Sequence, residues 1–174
     1  MTRKGAIWVS TVLYILISLA IIALVLVSVQ PVINKNTDKA IIEQSKQVLD
    51  SLDETIDKVS NLGEGTQFEV EITIKKGQLI IDSEENFVSW LLEDSSYMYS
   101  EPNQEIVLEG GKKTIQTLKN NDKWKVIFTY KYPNLDLESS LLPLKPAENP
   151  YNLLVKNKGK TSPDENKIIQ IFEG

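Results

Sequence analysis

The stretch RKGAIWVSTVLYILISLAIIALVLVSVQP, residues 3–31, decides how the rest of the chain is organised. From Ala6 to Val29 it contains twenty-four consecutive residues without a charge. A helix of that length reaches about 36 Å, whereas the hydrocarbon core of a bilayer is about 30 Å thick. Trp8 lies near one end of the run, where an indole prefers the membrane interface. The sequence therefore predicts a membrane-spanning helix.

A cleaved secretory signal is the alternative for this stretch. Such a signal has an apolar region of about 7 to 15 residues and ends at a pair of closely spaced small residues. Here the apolar run is longer, and no such pair occurs near its end. Arg3 and Lys4 should stay in the cytoplasm, because basic residues flank the cytoplasmic ends of membrane helices. We therefore expect a single-pass protein of the cell membrane with a cytoplasmic N-terminus.

The residues RKGA, 3–6, resemble the class III signal peptide of archaeal type IV pilins and archaellins. In that family a prepilin-type signal peptidase cuts just after the glycine. The resemblance implies a processing site at Lys4, Gly5 and Ala6, with residues 1–5 removed as a leader peptide. It also implies that helix 6–30 is retained and becomes the core of an extracellular surface filament. The side chains expected to lie in lipid or in that core are Trp8, Tyr14, Leu19, Ile22 and Leu26.

The chain departs from the family at one position. Many pilins carry a glutamate five residues into the mature chain, where it pairs with the N-terminal amine of a neighbouring subunit. The matching residue here is Ser10, and the first acid in the sequence is Asp38. Archaeal members vary more at this position than bacterial ones do, so the expectation of a pilin-like chain is kept.

Residues 31–65 are predicted to form an amphipathic helix and stalk. Pro31 has no N–H, so the helix should bend or be interrupted there. Apolar residues then recur at helical spacing and should pack on a sheet: Ile41, Ile42, Val48, Leu49, Leu52, Ile56, Val59 and Leu62. Charged residues occupy much of the opposite face: Asp50, Asp53, Glu54, Asp57 and Lys58. Gly63 and Gly65 should end the helix.

Residues 66–174 are predicted to form a β-rich extracellular head. The segment QFEVEITI (67–74) alternates apolar and polar residues, and KKG (75–77) should turn it into QLIID (78–82) as a hairpin. Residues 113–118 and 123–132 should form a second hairpin around KNND (119–122). Other strands are predicted at 86–92, 104–108, 151–157 and 167–172. The expected fold is α+β, with the amphipathic helix packed on an antiparallel β-sandwich-like head, as in a type IV pilin.

Composition excludes several kinds of chemistry. The chain has no cysteine and no histidine, which rules out disulfides, thiolate nucleophiles, Ser-His-Asp triads and ordinary zinc sites. Residues 31–174 carry 17 basic and 24 acidic side chains, a net charge of −7, so nucleic acid is not an expected partner. Arg3 is the only arginine. We expect a protein that is not an enzyme and that needs no metal or cofactor.

Three kinds of segment in the head have a structural and a functional interpretation. The acidic segments 82–86, 92–96 and 134–139 could bind Ca²⁺, but solvated loops are the simpler interpretation. EGGKK (109–113) lacks the spacing of a phosphate-binding loop and should be a turn. Tyr97, Met98 and Tyr99 with Trp90 could form an adhesive patch, although core or edge packing is the simpler interpretation.

Two functional hypotheses follow. In the first, the chain is a subunit of an archaeal type IV pilus-like filament, a homo-oligomer joined through its apolar helix, with the head exposed for adhesion. Its partners would be the prepilin-type signal peptidase, the membrane before assembly, and other copies of itself. In the second, it is a single-pass membrane protein whose β head binds a partner and does not polymerise. Processing after Gly5 separates the two hypotheses.

Overall fold

The computed structural model describes the backbone of residues 3–174 and the side chains of Trp8 and of residues 10–174. The predicted processing residues Lys4, Gly5 and Ala6 therefore lie outside the residues whose side chains are described. The chain divides into two compact units, Met1–Thr37 and Asp38–Gly174. One 59-residue helix, α1 (Arg3–Asn61), supplies almost all of the first unit and the start of the second.

The helix does not stop at Pro31. The prediction of an interruption there is wrong, because residues on both sides of Pro31 are helical. Proline removes one helical hydrogen bond, but the helical residues before and after it keep theirs. One lost bond is therefore not enough to end α1.

The C-terminus of α1 lies where the glycines predicted it. α1 ends at Asn61, and the Gly65 N–H donates to the carbonyl of Asn157 at 2.8 Å. The buried Asn157 side chain donates to the carbonyl oxygens of Val59 and Leu62 at 3.1 and 3.0 Å. These carbonyls lie in the last turn and just beyond it, where a helix leaves its own acceptors unpaired. A side chain from the β head therefore caps α1.

Nine strands and one turn of 3-10 helix (Glu109–Gly111) follow α1. The strands are β1 (Gln67–Ile72), β2 (Gln78–Asp82), β3 (Phe87–Ser95), β4 (Glu105–Leu108), β5 (Lys113–Asn120), β6 (Lys123–Lys131), β7 (Leu135–Glu138), β8 (Tyr151–Gly159) and β9 (Lys167–Glu173). They form a four-stranded sheet in the order β1-β8-β9-β7 and a five-stranded sheet in the order β2-β3-β6-β5-β4. All neighbours are antiparallel except β7 and β9.

Two predictions about the strands are wrong. β1 and β2 do not form a hairpin: β1 pairs with β8, and β2 pairs with β3 in the other sheet. The segment 75–77 therefore carries the chain from one sheet to the other, and its Gly77 has a positive φ of 86°. The acidic segments 92–96 and 134–139 are expected to be loops, but β3 runs through the buried Ser95, and the second segment contains β7, whose Leu137 is buried.

The β5–β6 hairpin is confirmed. Asn120 pairs with Lys123, so the connection is the two residues Asn121 and Asp122. Asn121 has a φ of 52°, which asparagine tolerates better than most residues and which short hairpin turns require. On β6, alternate residues are buried as the sequence predicts: Val126, Phe128 and Tyr130.

One hydrophobic core joins α1 to both sheets. The helix buries a stripe consisting of Ile42, Leu49, Leu52, Ile56 and Val59, whereas the neighbouring Ile41 and Val48 are only partly buried. The same cluster includes Trp90 and Phe128 from the five-stranded sheet and Leu153 and Ile171 from the four-stranded sheet. The predicted α+β layout, with an amphipathic helix packed on a β head, is confirmed at this level.

Candidate functional site

The apolar part of α1 is exposed throughout its described length. All of residues 10–37 are exposed, and within the described residues this is the helix long and apolar enough to cross a membrane. Thirteen exposed Leu, Ile and Val side chains lie between Ser10 and Gln30. Full burial of one such side chain stabilises by about 1.5 to 3 kcal/mol, so leaving all of them in water costs tens of kcal/mol. The segment therefore requires an apolar partner.

The residues predicted to meet lipid or a filament core all belong to this exposed surface. They are Trp8, Tyr14, Leu19, Ile22 and Leu26. The hydroxyls of Ser18 and Ser28 donate to the carbonyls of Tyr14 and Leu24, each at 2.8 Å. Hydroxyls bonded to their own helix lose little when they leave water. The two serines are therefore compatible with an apolar environment.

A group of charged and phenolic side chains joins α1 to the five-stranded sheet, and we call it the helix–sheet ion cluster. It contains acids from α1, two lysines at and just before the start of β5, two tyrosines near and just after the end of β6, and one acid from the 3-10 turn: Asp50, Asp53, Asp57, Lys112, Lys113, Tyr130, Tyr132 and Glu109. The three helix acids share a face because their spacing of three and four residues matches the helical repeat. The two tyrosines lie two residues apart on an extended chain, which places them on one face.

Asp53 is the centre of this cluster and is 4% exposed. Its Oδ1 lies 2.7 Å from Lys112 Nζ and accepts a hydrogen bond from the Tyr132 hydroxyl at 2.9 Å. Its Oδ2 lies 3.2 Å from Lys113 Nζ. Both carboxylate oxygens therefore have partners, as a buried charge requires. The sequence places Asp53 on the face opposite the apolar stripe, and in the structure two lysines and a tyrosine cover its carboxylate there.

The two acids that flank Asp53 on the helix, Asp50 and Asp57, contact the same two lysines. Asp57 Oδ2 lies 2.6 Å from Lys112 Nζ. Asp50 Oδ1 lies 3.2 Å from Lys113 Nζ and accepts a hydrogen bond from the Tyr130 hydroxyl at 2.7 Å. Each lysine thus bridges two helix acids, and a change at one residue is transmitted to the others.

The lysines reach α1 because of the turn that precedes them. Glu109, Gly110 and Gly111 have φ values of 50°, 64° and 100°, three successive residues in the left-handed region. Glycine adopts that region without the steric cost that a Cβ imposes. The turn predicted for EGGKK is therefore confirmed, and it delivers both lysines to the acids of the helix, with Glu109 Oε1 3.0 Å from Lys113 Nζ.

The electrostatics of the cluster favour protonated lysines and neutral tyrosines. Burial acts to lower the pKa of Lys112, but its bonds to Asp53 and Asp57 outweigh burial and raise that pKa. Burial likewise acts to lower the pKa of Lys113, but its carboxylate partners outweigh burial and raise that pKa. Burial first, and then the neighbouring carboxylates, raise the pKa of Tyr130 and Tyr132. These groups are therefore donors at neutral pH, and the cluster pins α1 to the sheet.

A cavity of about 670 Å³ opens beside the cluster. Asp57, Lys112 and Tyr132 line it together with Pro133 and Asn134. Its lining mixes both signs of charge with apolar groups, so it has no evident preference for an anion or a cation.

A second ionic contact anchors the first residue of the head unit. Asp38 is buried, its Oδ1 lies 2.7 Å from Lys76 Nζ, and its Oδ2 accepts the N–H of Ser96 at 2.6 Å. Burial acts to raise the pKa of Asp38, but the bonds from Lys76 and Ser96 outweigh it and lower that pKa. The carboxylate therefore stays charged and ties α1 to β3 and to the crossover between the sheets.

The remaining candidate segments have structural roles. In 82–86, the Asp82 carboxylate accepts the N–H groups of Glu84 and Glu85, each at 2.9 Å, which forms a turn. Trp90 is buried, and Tyr99 packs edge-on against Phe128 with ring centroids 5.2 Å apart. Among the described residues, no three His, Cys, Asp or Glu side chains are grouped as a metal site requires.

Sequence reasoning did not find the helix–sheet ion cluster. The available signal was the spacing of Asp50, Asp53 and Asp57 on one helical face, together with two lysines after a glycine pair. Either pattern alone is typical of a solvated surface, and only the packing of α1 on the five-stranded sheet brings them together.

Comparison with known proteins identifies no relative. No protein-family model, no curated protein and no solved structure matches this chain.

Proposed function

We propose that this chain is a pilin-like subunit of an archaeal type IV pilus-like surface filament. Its apolar helix is held in the membrane before assembly and packs against the same helix of other copies afterwards. The acidic β head then covers the outside of the filament, where it is available for adhesion. The proposal accounts for both units of the chain with one activity.

One observation carries the proposal. All of residues 10–37 are exposed, while Asp38–Gly174 has a complete core of its own. The head therefore needs nothing from the apolar segment to fold, and the segment remains available for lipid or for other copies. The basic residues and glycine of RKGA, followed directly by the apolar run, add the expected signal for processing after Gly5.

The proposal is tested by the N-terminus of the native protein. Protein from membrane and surface-filament fractions is analysed by N-terminal sequencing and intact mass. Filament-borne chains that begin at Ala6 support the proposal. Chains that still begin at Met1 and occur only in membranes overturn it, and a membrane-anchored binding protein becomes the working hypothesis.

A matched pair of glycine variants strengthens this test. Gly5→Val should block processing, because the resemblance assigns the cut to the bond that follows this residue. Gly63→Val is the control, since no atom lies within 4 Å of a Cβ at that position. Full-length chains accumulating for Gly5→Val but not for Gly63→Val are expected; normal processing of Gly5→Val contradicts the proposal.

A further inference from the structure

The five-stranded sheet has exposed apolar groups at both of its edges. β4 forms one edge, and β2 forms the other. Outside β2 lies an irregular segment, residues 139–147, which we call the Leu142 strap. It is tied to the sheet by a pair of backbone hydrogen bonds between Leu79 and Leu144, each 2.9 Å long.

The β4 edge is exposed to solvent although most of its side chains are apolar. All four residues of β4 are exposed, and three are large and apolar: Ile106, Val107 (57% exposed) and Leu108. β4 pairs with β5 alone, so its other side presents backbone donors and acceptors. Such an edge attracts another chain. Residues 101–108 also carry two acids and no base, with Glu105 inside the strand.

The Leu142 strap has the complementary properties. Leu142 is 82% exposed, the highest value among the large apolar side chains described. Lys145 is the only charged residue in 139–147. The strap is outside any strand apart from the bridge at Leu144, so its flanking residues have no ladder of their own. It offers an apolar side chain and a positive charge, which match the apolar and acidic β4 edge.

We infer that the β4 edge of one copy of this chain docks against the Leu142 strap of the next copy. This inference rests on the proposed function, which brings many copies together. The two surfaces differ and lie at opposite edges of one sheet, so the contact is heterologous. A heterologous contact that does not close into a ring produces an open, repeating assembly. The contact would therefore run from head to head along the filament.

Pairing of β4 with itself is the competing arrangement, and its charges disfavour it. β4 carries Glu105 and no base, so a self-pair joins two acidic strands. Like charges directly opposite each other destabilise a strand pair. The strap instead carries Lys145 as its only charge, so docking it on the acidic β4 edge brings opposite charges together.

Cysteine cross-linking tests the contact cleanly, because the chain has no cysteine of its own. Filaments are prepared from full chains carrying Val107→Cys, from chains carrying Leu142→Cys, from an equal mixture, and from the double variant. After mild oxidation the mixture should give disulfide-linked dimers, and the double variant should give a ladder of higher oligomers. A disulfide requires Cα atoms about 4.4 to 6.8 Å apart, so only direct neighbours react.

The control pairs Val107→Cys with Glu71→Cys, an exposed residue on β1 in the other sheet. It should give at least tenfold less cross-linked product than the Val107→Cys and Leu142→Cys mixture. Dimers of Val107→Cys alone would show that β4 pairs with itself and would overturn the inference. So would equal yields from the control and the test mixture.

The outcome separates this inference from the proposed function. If chains beginning at Ala6 form filaments but give no Val107–Leu142 cross-link, the contact is wrong and the filament function stands. If the chain keeps Met1 and forms no filament, the proposed function fails and the contact fails with it.

Discussion

Lys112 Nζ lies 2.7 Å from Asp53 Oδ1, in a contact that joins the C-terminal part of a long helix to the residue just before β5. The carboxylate is almost fully buried, and a second lysine and a tyrosine hydroxyl also contact it. The contact fixes the helical face that α1 turns toward the five-stranded sheet. The helix–sheet ion cluster therefore holds α1 on the sheet through polar contacts, as the hydrophobic core does through apolar ones.

Asp53→Asn should destabilise the head by about 3 kcal/mol, because it leaves two lysines beside a neutral group. Asp57→Asn is the matched control: Asp57 also bonds Lys112, but its side chain is 50% exposed, so its loss should cost less than about 1 kcal/mol. Urea unfolding of the full chain in detergent, followed by tryptophan fluorescence, to which the buried Trp90 contributes, measures both. Equal losses in the two variants would contradict a central role for Asp53.

Alkaline pH should unfold the head cooperatively. The phenols of Tyr130 and Tyr132 ionise near pH 10.0 when unfolded, and burial with nearby carboxylates raises both pKa values in the folded state. Above pH 10 the unfolded chain therefore binds fewer protons than the folded one, so stability falls as pH rises. Absorbance at 295 nm, which reports all six tyrosines, should show a late ionisation step that coincides with unfolding followed by circular dichroism. Ionisation of Tyr130 and Tyr132 in a chain that is still folded would contradict this account.

Acid should release the contact at Asp38. Its pKa is lowered from 3.8 in the folded state, so the contribution of this carboxylate to stability is present above pH 3.8 and is lost as pH falls through the lower folded value. Hydrogen exchange at the Ser96 amide, which donates to Asp38 Oδ2, should show faster opening below that pH. Asp38→Asn should remove this pH dependence. An unchanged acid profile in that variant would show that another carboxylate is responsible.

Local patterns predicted most elements of the fold. Strict alternation on β1, the hairpin between β5 and β6, and the helical spacing of Leu49, Leu52 and Ile56 each depend on neighbouring residues alone. These signals are local because a strand or a helix face is set by a period of two or about 3.6 residues. Their structural counterparts were therefore found in the expected places.

Pairing between strands was less accessible from the sequence. The turn 75–77 looks like a hairpin turn, but β1 pairs with β8 and β2 pairs with β3. Strand pairing depends on which apolar faces share a core, and that is a property of the whole head. The same reasoning applies to Asp53, whose burial is decided by β5 and β6 and not by its own helix.

Gly77→Ala should destabilise the head by about 2 to 4 kcal/mol. The residue has a φ of 86°, and a Cβ there would lie 2.6 Å from the Leu91 carbonyl oxygen and 2.7 Å from the Trp90 indole nitrogen. Backbone strain and overpacking each cost about 1 to 3 kcal/mol. Gly63→Ala is the control, because nothing lies within 4 Å of its Cβ, and it should change stability by less than about 1 kcal/mol. Thermal unfolding of the full chain compares the two, and a difference below 1 kcal/mol would contradict the crowding at Gly77.

A lysine in the middle of the apolar segment separates insertion into lipid from packing into a filament. The thirteen exposed Leu, Ile and Val side chains between Ser10 and Gln30 favour insertion by about 4 to 8 kcal/mol in total, whereas one central lysine costs about 3 kcal/mol. Ile22→Lys should therefore still integrate into membranes. In a filament core the same lysine would be buried among apolar helices without a partner. Filament assembly of the Ile22→Lys variant should therefore fail.

Gln30→Lys is the matched control, because it introduces the same charge at the polar end of the segment, where a lysine can extend to water. Alkaline extraction of membranes measures integration, and the amount of sheared surface filament measures assembly. We expect both variants to stay in membranes. The filament yield of Ile22→Lys should be at least tenfold lower than that of the unchanged chain, whereas Gln30→Lys should keep most of that yield. Equal filament yields would mean that Ile22 is not buried between subunits. Loss of Ile22→Lys from membranes would mean that the apolar run inserts less favourably than its composition indicates.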